Sequence, residues 1–215
     1  MSRPDPKPMS ADLITVLTES RTLGLLGPGP VGAHIEHAEA FADGVATPTA
    51  VADLGSGGGV PALVLAAQCW PEASFTLIDA GKRRCAFLTD AVHDLGFDDR
   101  VQVRWQRAEE AGRDPALRGA FGVVTARGFG PPAVTAECGA PLLRVGGLLV
   151  VSEPPGGEPG RWPADGLGIL GLVGVEVERS TSEPAVAHFE QVSACPERYP
   201  RRVGIPTKRP LFTTT

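Results

Sequence analysis

Four glycines fall within five positions of the chain, at Gly55, Gly57, Gly58 and Gly59. A short apolar segment, residues 50–54, precedes them, and an apolar run, residues 60–66, follows. No other stretch restricts the fold so strongly. Side-chain-free backbone between a strand and a helix allows positive φ and lets the main chain approach a ligand closely. The helix that follows turns unpaired N–H groups toward that ligand.

The surrounding pattern supplies the sheet. Apolar runs at residues 50–54, 74–79, 101–105, 120–125 and 146–153 read as strands. Between them, residues 59–69, 82–95 and 131–143 read as helices, the second with Cys85, Leu88, Ala91, Val92 and Leu95 on one face. Such alternation calls for a doubly wound α/β domain, a mostly parallel sheet covered by helices on both faces. The segments LVGVEVERS and AVAHFEQVSA then read as a closing strand pair that adds an antiparallel edge. Before the sheet, residues 10–23 read as a helix capped by Ser10 with Asp12 in its first turn, and a second short helix ends near Gly44. The chain thus divides into an N-terminal tail and helices (1–49), an α/β domain (50–197) and a C-terminal segment (198–215). That last segment carries Arg198, Arg201, Arg202, Lys208 and Arg209 with no acid. Its prolines at 200, 206 and 210 predict an extended basic arm.

Composition narrows the class. Hydrophobic residues make up 42% and charged residues 21%, which suits a globular domain. No apolar run approaches the roughly 18–20 residues of a membrane span, and MSRPDPKPMS lacks the apolar core of a secretion signal. Cys69, Cys85, Cys138 and Cys195 are scattered, so no metal site is expected and reduced thiols in the cytoplasm are. The net charge of −5 does not mark a nucleic-acid binder, but the C-terminal segment is locally basic.

In this fold, ligands bind at the carboxyl ends of the strands where the winding reverses. A dinucleotide turn requires glycine at the third position of G-x-G-x-x-G, and Val60 stands there. The pattern present is D-x-G-x-G-x-G, from Asp53 to Gly59, with Ser56 inside the loop. It resembles the first motif of S-adenosylmethionine-dependent methyltransferases. The strand aspartate would repel a pyrophosphate but suits a donor carrying an ammonium and a sulfonium. Asp79, at the end of the second strand, stands where an acid accepts hydrogen bonds from ribose hydroxyls; a helix cap is its structural alternative. Ala108 and Glu109 follow the third strand, on the adenine side, although Glu109 and Glu110 also suit a solvated helix.

Longer segments carry a family resemblance. "DLGSGGGVPALVLA", "FTLIDAGKRRCAFL", "QRAEE", "VVTARGFGP" and "YPRRVGIPTKRPLF" together resemble the RsmG (GidB) family of bacterial small-subunit rRNA methyltransferases. The resemblance implies a class I Rossmann-like methyltransferase that moves a methyl group from S-adenosyl-L-methionine to N7 of a guanine in 16S rRNA, free or in the small ribosomal subunit. It implies that Arg127 meets the RNA near the methyl donor as the catalytic-site arginine. RNA contacts are further expected from Lys82 and Arg83, with the neighbouring Arg84, for which a solvated helix start is an equal alternative, and from Arg201, Arg202 and Lys208. Loss of residues 198–215 is then expected to weaken RNA binding and spare donor affinity. The chain departs from the family in its short N-terminal region, where His34 and His37 read preferentially as helix-surface residues. It departs again at Ser152-Glu153-Pro154, where a lysine-glycine pair is usual. Cys195-Pro196 reads as a buried thiol rather than a nucleophile. Alternatives from the residues themselves are a same-fold methyltransferase acting on another RNA or a small molecule, a non-catalytic RNA- or nucleotide-binding protein, and an NAD-dependent oxidoreductase.

Overall fold

The computed structural model describes residues 12–154, 160–176 and 185–213. Among them, a seven-stranded sheet runs in the order β3-β2-β1-β4-β5-β7-β6. Its strands are β1 (Ala50–Leu54), β2 (Ser74–Asp79), β3 (Val101–Trp105), β4 (Phe121–Ala126), β5 (Leu143–Ser152), β6 (Leu172–Val175) and β7 (Val186–Gln191). The first five are parallel, and β7 pairs antiparallel with both β5 and β6. The order reverses between β1 and β4, so the strand ends there open a crevice. The expected closing strand pair is present, and it forms one margin of the sheet.

Alternation along the strands feeds two cores. Val51, Leu77, Val123 and Val150 face one side, packed with Leu17, Phe41, Leu63, Trp70 and Leu88. That layer comprises α1 (Leu13–Thr22), α2 (Val31–Glu39), α3 (Ala62–Val64), which continues as a π-helical turn (Leu65–Cys69), and α4 (Lys82–Asp94). Leu54, Ile78, Val124 and Leu149 face the other side, with Leu142, Leu167 and Phe189. There lie α5 (Ala108–Ala111), α6 (Pro132–Gly139), α7 (Ala164–Gly168) and α8 (Ile205–Lys208). The α4 face read from the sequence is buried as a unit, Cys85, Leu88, Ala91, Val92 and Leu95 all being in the core.

Two local expectations change. The cap of α1 is Asp12, whose carboxylate accepts from the Thr15 N–H at 2.8 Å; Ser10 lies outside the described residues. A side-chain oxygen at this position satisfies an N–H that the first turn leaves open. The C-terminal basic segment is not an extended arm. Pro206 sits in the first turn of α8, where its missing N–H costs nothing, and the segment folds back onto α5 and α6.

That folding explains α6, which has no polar face: all eight of its residues are buried between the sheet and the returning chain. Among them is Glu137, with no exposure at all. Its carboxylate accepts from the Arg201 backbone N–H and Nε, both at 2.8 Å, and from Arg201 Nη2 at 2.6 Å. A fully buried carboxylate persists only when its lone pairs are filled this way. Arg118 fastens the same return by donating to the carbonyls of Gly112, Cys195, Pro196 and Tyr199.

Candidate active site

A cavity of about 490 Å³ opens at the carboxyl ends of β1 to β4, within the size range of small-molecule sites. The glycine loop forms its floor. Gly55, Gly57 and Gly59 all have positive φ, at 66°, 53° and 93°, which only glycine adopts freely. At Gly55 a Cβ would also stand 2.8 Å from the Phe129 ring on the opposite wall. Gly58 is bare for a different reason: a Cβ would lie 2.7 Å from the Leu25 carbonyl, because the chain between α1 and α2 crosses directly over the loop. Gly58→Ala therefore forces that crossing outward, with an expected destabilisation of about 1–3 kcal/mol, to be read as a shift in urea midpoint.

Asp79 organises the loop. Its Oδ1 accepts from the Gly81 N–H at 2.7 Å and from Arg84 Nε at 2.8 Å, while Oδ2 accepts from the Gly57 N–H at 3.0 Å. A carboxylate offers about four acceptor positions, so Oδ2 keeps one for a ligand hydroxyl. Asp79 is thus not merely a helix cap; it ties the end of β2 to the glycine loop while lining the cavity.

Asp53 stands behind this surface. It is 1% exposed and does not line the cavity. Its Oδ1 accepts from Thr125 Oγ1 at 2.6 Å, and its Oδ2 has no hydrogen-bond partner among the described residues. Desolvation pushes its pKa up to about 6, opposed by the hydrogen bond from Thr125 and by the nearby Ser56 hydroxyl; Asp79 adds repulsion and Arg127 offsets some of it. Ser56 Oγ donates to the Asp53 carbonyl at 3.0 Å and holds the turn.

The raised value has a consequence for stability. The folded protein holds a proton on Asp53 between pH 4 and 6 that the unfolded chain releases, so this group's contribution to stability falls as pH rises across that window. Above pH 6 the buried charge opposes folding by about 3 kcal/mol. Asp53→Asn is expected to be more stable than the parent at pH 8, with the advantage shrinking toward pH 4, as thermal melts at the two values will read.

The remaining expected donor-site residues divide cleanly. Gly55, Ser56, Gly57, Asp79, Ala108 and Glu109 line the cavity; Gly59 lies behind it, where a Cβ would strike Leu63. Glu109 is also structural, accepting from the Gly204 N–H at 2.9 Å, and Thr207 of α8 completes that wall. Arg127, in the loop after β4, faces the cavity with its basicity lowered by desolvation and partly restored by Asp53.

The expected RNA-contact residues are spread differently. Lys82 lies over the exposed Trp105 ring, 5.6 Å from its centroid, and Arg83 donates to the Leu23 carbonyl. Arg202 and Lys208 are exposed. Arg201 is committed to Glu137 and to the Arg209 carbonyl, so its guanidinium is held inside the fold. Glu153 does not present a free acid either. It pairs with Arg161 at 3.1 Å and accepts from Trp162 Nε1 at 2.9 Å. Cys195 is buried, its thiol pushed up to about 11 by desolvation, which removes it as a nucleophile.

Sequence reasoning underrated one residue and missed two. His34 is buried rather than on the surface and contacts Arg127. Phe129 gave no signal beyond its closeness to Arg127. Glu137 did give one, as the lone charged residue in the run from Pro132 to Leu143.

Residues 34–153 match the family model described as rRNA small subunit methyltransferase G. Curated proteins of that name are similar over most of this chain. The protein from Parasynechococcus marenigrum is 37% identical over 171 residues, covering 74% of this chain and 66% of its own length. That from Lactobacillus johnsonii is 34% identical, covering 74% and 68%. The chain therefore spans about two thirds of the length of these relatives. Among solved structures, an S-adenosylmethionine-dependent O-methyltransferase from Thermotoga maritima shares the fold at a TM-score of 0.57 and 14% identity, covering 83% of this chain and 71% of that one. The [4+2]-cyclase SpnF shares it at 0.56 and 20%, covering 76% and 70%. The architecture is that of class I methyltransferases. A cyclase on the same architecture means that the reaction must be argued from the site.

Proposed function

The chain belongs to the rRNA small subunit methyltransferase G family of S-adenosylmethionine-dependent methyltransferases, and from that membership we propose that it methylates N7 of a guanine in 16S rRNA, acting in the cytoplasm on the RNA or on the small ribosomal subunit. One observation carries the reading. A bare glycine floor and the Asp79 carboxylate share a single cavity with Arg127, which stands across from them.

The residues present fit S-adenosylmethionine. The glycine loop is a cradle that a single Cβ would fill, Asp79 Oδ2 has an acceptor position for a ribose hydroxyl, and the segment from Gln106 to Glu109 walls the adenine end. The unpartnered Asp53 Oδ2 supplies negative potential to a cationic ligand, acting through the loop rather than by contact. Bound there, the donor supplies an electrophilic methyl on a positively charged sulfur.

The acceptor needs little chemical help. Guanine N7 has an in-plane lone pair and no proton to lose, so no general base is required. As the N7–carbon bond forms, the carbon–sulfur bond breaks; its electron pair stays on sulfur and the positive charge passes to the guanine ring. What remains for the protein is alignment. Arg127 supplies it by donating to an RNA phosphate or to the guanine edge beside N7, from a desolvated position where such bonds are strong. The exposed cations Lys82, Arg83, Arg202 and Lys208 are proposed to hold RNA backbone, which makes affinity fall with added salt.

The test is transfer of labelled methyl groups onto unmodified small subunits, followed by mapping of 7-methylguanine. A single labelled guanine in 16S rRNA is expected; label on another molecule, or none, contradicts the reading. In the same assay Arg127→Ala is expected to lower kcat about 100-fold while S-adenosylhomocysteine affinity changes by less than about threefold.

A further inference from the structure

The reaction as described leaves the buried His34 without a role, although it makes the only hydrogen bond to Arg127 among the described residues. We infer that His34 is a positioning residue, which sets Arg127 for the acceptor and does so only as the neutral Nε2–H tautomer. The inference rests on the proposed role of Arg127, and it is drawn from two contacts on opposite sides of one ring.

On one side, His34 Nδ1 lies 2.6 Å from Arg127 Nη2. A guanidinium has donors and no acceptor, so Nδ1 must carry a lone pair. On the other side, Nε2 lies 3.1 Å from the Gly27 carbonyl, which can only accept. Nε2 must therefore carry the proton. Each contact fixes its nitrogen independently, and the two agree. The other tautomer would set N–H against N–H at Arg127 and lone pair against lone pair at Gly27; protonating the ring would do the first, and turning it over would put carbon in place of each nitrogen. The ring is 7% exposed, so water cannot repair such a mismatch.

The placement makes this more than local packing. Arg127 and Gly27 both line the cavity, from opposite sides in sequence of the glycine loop. His34 thus joins the loop after β4 to the chain that crosses above Gly58. Arg127 has a long flexible stem, and its remaining N–H groups have no partner among the described residues. One fixed N–H leaves the others aimed, and removing that anchor lets the guanidinium swing. A misplacement of about 1 Å at an aligning group lowers turnover about 100-fold.

The experiment compares His34→Asn, His34→Gln and His34→Leu in the full chain. The readouts are methyl transfer to unmodified small subunits, calorimetry with S-adenosylhomocysteine, and imidazole nitrogen spectra of the parent and of Arg127→Ala. Asparagine returns an acceptor near the Nδ1 position. Glutamine offers a donor toward Gly27 but no acceptor at Arg127. Leucine keeps only bulk. The expected result is a fall in kcat of about 10- to 100-fold for Gln and Leu, recovery to within about fivefold for Asn, and donor affinity unchanged within about threefold throughout. The parent spectrum should show a bare Nδ1 and a protonated Nε2, with the Nδ1 resonance moving in Arg127→Ala. Leucine turnover equal to the parent, no advantage of Asn over Gln, or a protonated Nδ1 would overturn the inference. If the parent methylates nothing in this assay, the proposed function fails, and the nitrogen spectra still decide the tautomer. If the Leu variant does not fold, the Asn–Gln pair and the spectra decide the rest.

Discussion

Removal of residues 198–215 is expected to abolish S-adenosylhomocysteine binding together with the cooperative melt, not merely RNA affinity. Three groups lose their partners at once. Glu137, fully buried, loses all three hydrogen bonds it receives from Arg201. Glu109 loses the Gly204 N–H, and Arg118 loses the Tyr199 carbonyl. The cavity also loses Thr207, and the core loses Tyr199 and Pro206. Stranding one member of a buried ion pair alone costs about 3–5 kcal/mol, against a total stability of roughly 5–15 kcal/mol for a domain. Arg201→Ala isolates that share: Tm should fall by about 6–20 °C. Replacing both partners together, Arg201→Leu with Glu137→Leu, should cost markedly less than the single change, because no buried charge is left alone. A truncated chain that melts like the parent and binds S-adenosylhomocysteine equally would show that the segment is a detachable arm.

Asp79→Ala is expected to weaken S-adenosylhomocysteine binding about 100-fold by calorimetry. Two effects combine. The ribose loses a charge-assisted acceptor, of the order of 1.5–3 kcal/mol. The glycine loop loses the tie between the Gly57 N–H and the end of β2, and Gly81 and Arg84 lose their shared acceptor. Asp79→Asn should be nearly as damaging. The asparagine keeps the shape, but its amide turns N–H groups toward Gly57 N–H or toward Gly81 N–H and Arg84, all of which are donors. Affinity within about threefold of the parent in either variant would remove Asp79 from the donor site.

The sheet, and the placing of the glycine loop and Asp79 at one cavity, were legible in the sequence because they rest on local signals. Periodicity set the strand and helix positions, and the glycines with Asp53 and Asp79 occupy fixed places relative to strand ends. The acceptor side was less legible, because its geometry depends on contacts between distant segments. His34 looks like half of a surface pair on α2; only the return of the β4 loop, 93 positions later, buries it against Arg127. The C-terminal segment misled for a similar reason. Its cations and prolines suggest an extended RNA-binding arm, but a single acid in an apolar helix, Glu137, captures Arg201 and draws the segment onto the fold. Asp53 stands at the strand end that its spacing indicates, but its side-chain direction was not legible. Sequence spacing identifies the strand end, whereas the side-chain direction that turns it to Thr125 rather than into the cavity comes from the pairing of β1 with β4.

Recognition of a donor ribose by Asp79 is the interaction on which the proposed donor site depends most. Calorimetry with S-adenosylhomocysteine and with its 2′,3′-dideoxy analogue, on the parent and on Asp79→Ala, measures that coupling as a double cycle. The predicted result is a loss of about 100-fold for the analogue on the parent, and almost no further difference between the two ligands once the carboxylate is gone. Equal affinity of the parent for both ligands would contradict the account at its base.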